Sequence, residues 1–230
     1  MSQEEAPLAV ITGTSGQLGP IWEDTLISLG YRTFGIDQPL WDVSDREQMQ
    51  YAVNRTVAIY GIPKVLVLNA AIDNPPGSGA TFHGSIERIL QVNLLGAVYV
   101  AEGFLPFMIR KGGVIVGISS IQAHVGADWR NYEGTFEKPV GYNLSKAALE
   151  QYVRSLTVQY GRYGIRACCI GFGPFDGGKL DPVFLGKFLR NVPLGRPVSK
   201  ESVRAALRFA VECPEFAGQT AIIDGGYIAL

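Results

Sequence analysis

Leu8-Ala9-Val10-Ile11-Thr12-Gly13-Thr14-Ser15-Gly16-Gln17-Leu18-Gly19-Pro20 runs from a short apolar segment, through a turn with a glycine at every third position, into a proline. An apolar run of five bounded by glycine reads as a buried strand. Proline suits the first turn of a helix, and the apolar-patterned stretch from about Pro20 to Leu29, closed by Gly30, supplies that helix. Strand, glycine turn, helix is the arrangement in which Gly13, Gly16 and Gly19 let the backbone turn tightly and come close to a pyrophosphate, with the helix N-terminus aimed at the anion. A tight glycine turn with no ligand satisfies the same spacing, and the rest of the chain has to separate the two.

Working outward, short apolar segments alternate with longer helical ones. Strands are expected at 32–36, briefly near Asp42-Val43, and at 65–68, 114–118, 166–170 and 220–223, with helices at about 45–60, 85–108, 142–160, 182–189 and 199–211. That alternation implies an α/β fold, a doubly wound Rossmann-type parallel sheet of about seven strands with helices on both faces. No repeat or linker divides the 230 residues, so one domain over 1–230 is expected, with 1–7 as a flexible tail. The polar, aromatic segment 127–139 breaks the rhythm and reads as an insertion.

Composition narrows the classes. Hydrophobic residues make up 47% and the formal net charge is −1, so no basic excess argues for nucleic acid or an anionic membrane as a partner. The acidic N-terminus lacks the basic and apolar regions of a signal peptide, and no apolar run reads as long enough to span a bilayer uninterrupted. Cys168, Cys169 and Cys213 read as free thiols in a reducing compartment. With only two histidines no metal site is expected, and the cytoplasm is the expected location.

Asp37, at the end of the second strand, is where a carboxylate accepts hydrogen bonds from the adenosine ribose. It would repel a 2′-phosphate, and Gln38 rather than Arg or Lys follows it, which favours NAD over NADP. Asp42 and Val43 are placed to border the adenine, although Asp42 equally suits a turn cap. Asn69-Ala70-Ala71 ends the fourth expected strand at the same sheet edge. Downstream, Tyr142 and Lys146 are four apart and so share one helix face. A fixed ammonium beside a phenol favours the phenolate and draws its pKa toward neutrality, where it can exchange a proton with an alcohol or carbonyl.

Taken in order, TGTSGQLG, Asp37, Asn69-Ala70-Ala71, Asn93 within QVNLLG, Ser120, Tyr142-x-x-x-Lys146 and the closing GQTAIIDGG make the chain resemble the short-chain dehydrogenase/reductase family over its whole length. The resemblance implies a tetrad of Asn93, Ser120, Tyr142 and Lys146. Tyr142 is the implied acid/base, Ser120 the holder of the substrate oxygen, Lys146 the group that lowers the phenol pKa and binds the nicotinamide ribose, and Asn93 the organiser of a water-linked proton path. Gly13 to Gly19, Asp37, Asp42, Val43, Asn69 to Ala71, Tyr142, Lys146 and Gly173 are the implied cofactor residues. Departures stand beside the match. The middle glycine is Gly16 where many members have one at the position of Gln17. The usual Pro-Gly after the sixth strand is Phe172-Gly173, and the threonine that follows is missing, with Asp176 nearby.

The insertion, with Tyr132-Glu133-Gly134-Thr135 and Lys138-Pro139-Val140-Gly141-Tyr142, looks like a subgroup from bacterial surface-polysaccharide and flagellin-glycosylation clusters. Trp129, Tyr132 and Phe136 suit stacking on a sugar, and Arg130 or Lys138 suits a phosphate or carboxylate. The implied activity is NAD-dependent interconversion of a secondary hydroxyl and a carbonyl on a small sugar-like or anionic molecule. A nucleotide-sugar epimerase or dehydratase, or a dinucleotide sensor without turnover, are the alternatives. The family also implies a homodimer or homotetramer.

Overall fold

The computed structural model describes residues 6–74, 81–134, 136–175, 177–178 and 180–229. Residues 1–5 of the expected tail, Thr135 and Asp176 lie outside them; the Ala6 and Pro7 carbonyls accept hydrogen bonds from Arg32.

Six strands, β1 (Leu8–Thr12), β2 (Arg32–Ile36), β3 (Val65–Leu68), β4 (Gly113–Ser120), β5 (Ile165–Phe172) and β6 (Thr220–Ile223), form one parallel sheet in the order β2-β1-β3-β4-β5-β6. Every residue of β1 and β3 is buried, as in a sheet covered on both faces. Alternate side chains divide between two cores. Val10, Leu66 and Cys169 face α2 (Arg46–Tyr60), α4 (Ala97–Met108) and α5 (Val140–Tyr160). Ile11, Val67 and Cys168 face α1 (Gly19–Ser28) and α7 (Lys200–Glu212). The adjacent cysteines thus sit on opposite faces, both as free thiols.

The sequence differs from the structure at two elements. Asp42 and Val43 form no strand. The Asp42 carboxylate accepts from the Ser44 backbone N–H (2.9 Å) and hydroxyl (2.6 Å), closing a turn, and Asp45 then caps α2 through the Glu47 and Gln48 amides. The helix expected at 85–108 is α3 (Ile86–Leu90), a π-helical segment (Gln91–Gly96) and α4 in sequence. This rod is by length and composition apolar enough to cross a bilayer, contrary to the expectation. Here its Val100, Phe104 and Met108 are buried in the core.

Chain reversal between β1→β2 on one side and β1→β3 on the other opens a crevice at the carboxyl ends of the strands, where ligands bind in open α/β sheets. The turns after β1, β3, β4 and β5 all empty into it.

Candidate active site

The glycine turn is braced from β3. The Thr12 hydroxyl accepts the Asn69 and Ala70 amides at 2.9 and 3.0 Å. Asn69 donates through Nδ2 to the carbonyls of Thr12 and Gly13, both at 2.9 Å, and its Oδ1 accepts the Trp22 indole N–H at 2.8 Å. Its side chain is therefore occupied in holding the turn against α1. Gly13 has φ +70°, and a Cβ there would stand 2.8 Å from the Ala70 Cα; one on Gly19 would stand 2.1 Å from the Thr14 carbonyl oxygen. The result is a concave backbone cradle at the start of α1, whose N-terminus has no side-chain cap.

That cradle is one end of a cleft of about 840 Å³. Gly13, Ser15 to Leu18, Asp37, Asp42, Val43, Asn69 to Ala71 and Gly173 line it; Thr14 and Gly19 lie behind. Asp37 accepts from the Ser15 amide and from the Gln38 amide at 2.8 Å. Partial burial pushes its carboxyl up, but the hydrogen bonds from Ser15, Gln38 and Thr14 outweigh this and hold it below the ordinary value. Asp42 is ion-paired to Arg88 (3.5 Å) besides capping its turn, which is the bland reading its position allowed.

At the other end stand Tyr142, Lys146 and Ser120, brought together by α5 packing across β4. The Ser120 side chain stands near enough to the Tyr142 phenol to favour its ionised form, and its hydroxyl accepts the Gln122 amide at 3.2 Å. Lys146 is buried, donates to the Ile118 carbonyl at 2.7 Å, and holds its ammonium 5.6 Å from the Tyr142 ring centroid. The electrostatics differ from expectation. Burial pushes the phenol well above its usual value, the Asp73 carboxylate adds to this, and only the nearby Ser120 hydroxyl opposes it. Burial likewise brings the Lys146 ammonium down to about 8. In this environment the phenol is a neutral proton donor rather than a ready base.

Asn93 lies in the π-helical segment. Its Oδ1 accepts the Ile72 amide (2.8 Å), and its Nδ2 donates to the Ile72 carbonyl (2.9 Å) and the Ser145 hydroxyl (3.2 Å). It ties the loop after β3 to α5, three residues from Tyr142. Behind Ser120, the Ser119 hydroxyl donates to buried Glu150 at 2.6 Å, and the His124 ring lies 3.0 Å from the same carboxylate oxygen. No motif marked that brace in the sequence.

Of the five expected substrate residues, Tyr132 and Lys138 line the cleft. Trp129 is 78% exposed, and Arg130 is forked onto Asp128 through Nε and Nη2, both at 2.8 Å. Phe136 packs on Tyr132 at 5.0 Å between centroids instead of reaching the cleft. Lys138 is paired with Asp73. Phe184 and Phe188 of α6 (Pro182–Leu189) continue the aromatic wall from Tyr132. Helix α6 was legible, but nothing in the sequence said which strand end it would cover.

Residues 37–228 match a short-chain dehydrogenase family model described as "Enoyl-(Acyl carrier protein) reductase". The chain is a short-chain dehydrogenase/reductase. Among similar proteins, the cis-4-hydroxycyclohexanecarboxylate dehydrogenase of Sinomonas cyclohexanicum is 30% identical over 83% of this chain and 77% of that one. A short-chain dehydrogenase of Leptospira borgpetersenii, solved with bound NAD+, is 25% identical with a TM-score of 0.86, covering 97% of this chain and 93% of that one. A gluconate 5-dehydrogenase of Burkholderia cenocepacia, solved with NADP and tartrate, shares the fold at a TM-score of 0.82 and 21% identity, over 99% and 97% of the two chains.

In this short-chain dehydrogenase/reductase the glycine cradle, a turn too tight to admit a Cβ at Gly13 or Gly19, fits a dinucleotide pyrophosphate. The ionised Asp37 carboxylate lines the same cleft at the end of β2, which fits ribose hydroxyls. The residues present suit a dinucleotide cofactor.

Proposed function

We propose that this chain is an NAD-dependent oxidoreductase that interconverts a secondary hydroxyl and a carbonyl on a small polar molecule, sugar-like or anionic. One observation carries it: Ser120 and Tyr142, with Lys146 one helical turn on, face the same cleft as the glycine cradle. When bound, the nicotinamide supplies or accepts the hydride. Ser120 and Tyr142 hold the substrate oxygen with two hydroxyls, stabilising the charge that develops there, and Tyr142 passes the proton to or from it. Lys146 gives the cofactor ribose a donor beside the phenol. Asn93, by fixing the loop after β3 to α5, keeps Tyr142 in place. The Asp37 carboxylate, ionised and followed by Gln38, supports NAD over NADP by repelling a 2′-phosphate.

The substrate class draws on the aromatic wall and on the Sinomonas relative, whose name specifies a hydroxylated ring bearing a carboxylate. Cytoplasmic location and a homodimer or homotetramer complete the proposal. The test is Tyr142→Phe in the full chain. Turnover of a secondary alcohol is expected to fall by about 10²–10⁴-fold, the range for a lost general acid–base, with NAD affinity retained. Undiminished turnover would sink the assignment of Tyr142, and kcat/KM with NADP equal to or above that with NAD would sink the coenzyme preference.

A further inference from the structure

We propose that the substrate end of the cleft takes an uncharged ring compound with neighbouring hydroxyls, gripped beside Tyr142 by the Lys138–Asp73 ion pair. This rests on the alcohol–carbonyl reading above and chooses between its sugar-like and anionic forms.

Lys138 precedes α5 and Asp73 follows β3, so tertiary packing alone brings them together. The Lys138 ammonium lies 4.9 Å from the Tyr142 ring centroid. Its side chain is only 11% exposed, whereas that of Asp73 is 40% exposed, so the carboxylate is the more open member of the pair. A secondary alcohol whose oxygen meets Ser120 and Tyr142 therefore sets its next substituent against this pair. A hydroxyl both donates and accepts, and the pair offers both an acceptor carboxylate and spare ammonium N–H groups. A carboxylate or phosphate only accepts, and it would meet the Asp73 charge in a partly desolvated site, where like charges are expensive.

The other cations that an anion could use are engaged as well. Arg130 is held by Asp128 outside the cleft, Lys187 lies 3.5 Å from Glu133, and Lys146 is held by the Ile118 carbonyl. Asp181 adds a further carboxylate to the lining. Among the described residues, no arginine or lysine at this end stands free of such a partner. Opposite, Tyr132 and Phe184, with centroids 5.1 Å apart, offer an apolar wall to the C–H face of a ring.

Two matched probes test this. One is cyclohexane bearing two adjacent cis hydroxyls; the other is the acid in which one of those hydroxyls is replaced by a carboxylate. With NAD, wild-type protein is expected to favour the diol in kcat/KM by about tenfold or more, a specificity set by charge repulsion. Asp73→Asn, which leaves the Lys138 charge unopposed, is expected to cut that ratio by about tenfold. The same comparison, made by titrating each probe into NADH-loaded Tyr142→Phe and following NADH fluorescence, reads recognition without chemistry. If Tyr142→Phe turns over like wild type, the functional reading fails while the binding ratio still judges this inference. Preference for the acid, a ratio unmoved by Asp73→Asn, or no response to either probe overturns it.

Discussion

Lys146 shows how far the environment of one residue can depart from what its spacing implies. Four residues from Tyr142, it is placed to acidify the phenol, yet burial lowers its own pKa from 10.5 to about 8. The linkage has a definite sign. Because the folded value lies below the unfolded one, its contribution to stability is fully present above about 10.5 and is lost as pH falls through about 8. Lys146→Met removes that dependence. Urea unfolding at about pH 7.5 and about pH 10 should show wild type gaining roughly 2–3 kcal/mol relative to the variant between the two conditions. An unchanged difference would mean that the ammonium is not desolvated. The Asp73 charge beside the phenol is the companion effect, and it was not legible because Asp73 lies in no motif and meets Tyr142 only through the fold.

The element that matters most is the turn between β1 and α1. Its glycines are required by contact as well as by conformation, since a Gly19 Cβ would overlap the Thr14 carbonyl at 2.1 Å. Gly19→Ala should raise the NAD dissociation constant by at least about tenfold, with circular dichroism showing the sheet and helices intact. Gly186→Ala, where an added Cβ meets nothing, is the control; it should leave binding unchanged and stabilise α6 by about 0.5–1 kcal/mol. Strands β1, β2, β3 and β6 matched their expected limits because strands in a covered parallel sheet are continuous apolar runs ended by turn residues. Asp42-Val43 misled because two residues carry too little pattern, and the Ser44 bonds to Asp42 favour a turn. The π-helical segment around Asn93 was invisible, since no periodicity separates it from an α-helix and its side-chain partners at Ile72 and Ser145 are distant in sequence.

At the scale of the whole molecule, the two helical layers leave apolar side chains outside the two sheet cores. Leu95 is 36% exposed, Leu144 48% and Val158 87%, all on the π-helical segment and α5. Sedimentation equilibrium is expected to give two or four times the chain mass of 24.9 kDa; a single-chain mass would refute the assembly. The amino-acid order alone determined the strand–glycine turn–helix unit, the Asp37 terminus of β2 and the Tyr142–Lys146 face, because each depends on neighbours within a helical turn or a strand. Which charges remain available was decided by tertiary structure. Lys138 is joined to Asp73 from a different crossover, Tyr132 meets Phe184 from α6, and the phenol is raised by burial. Pairing and desolvation depend on what packs nearby, and the local sequence pattern does not carry that information.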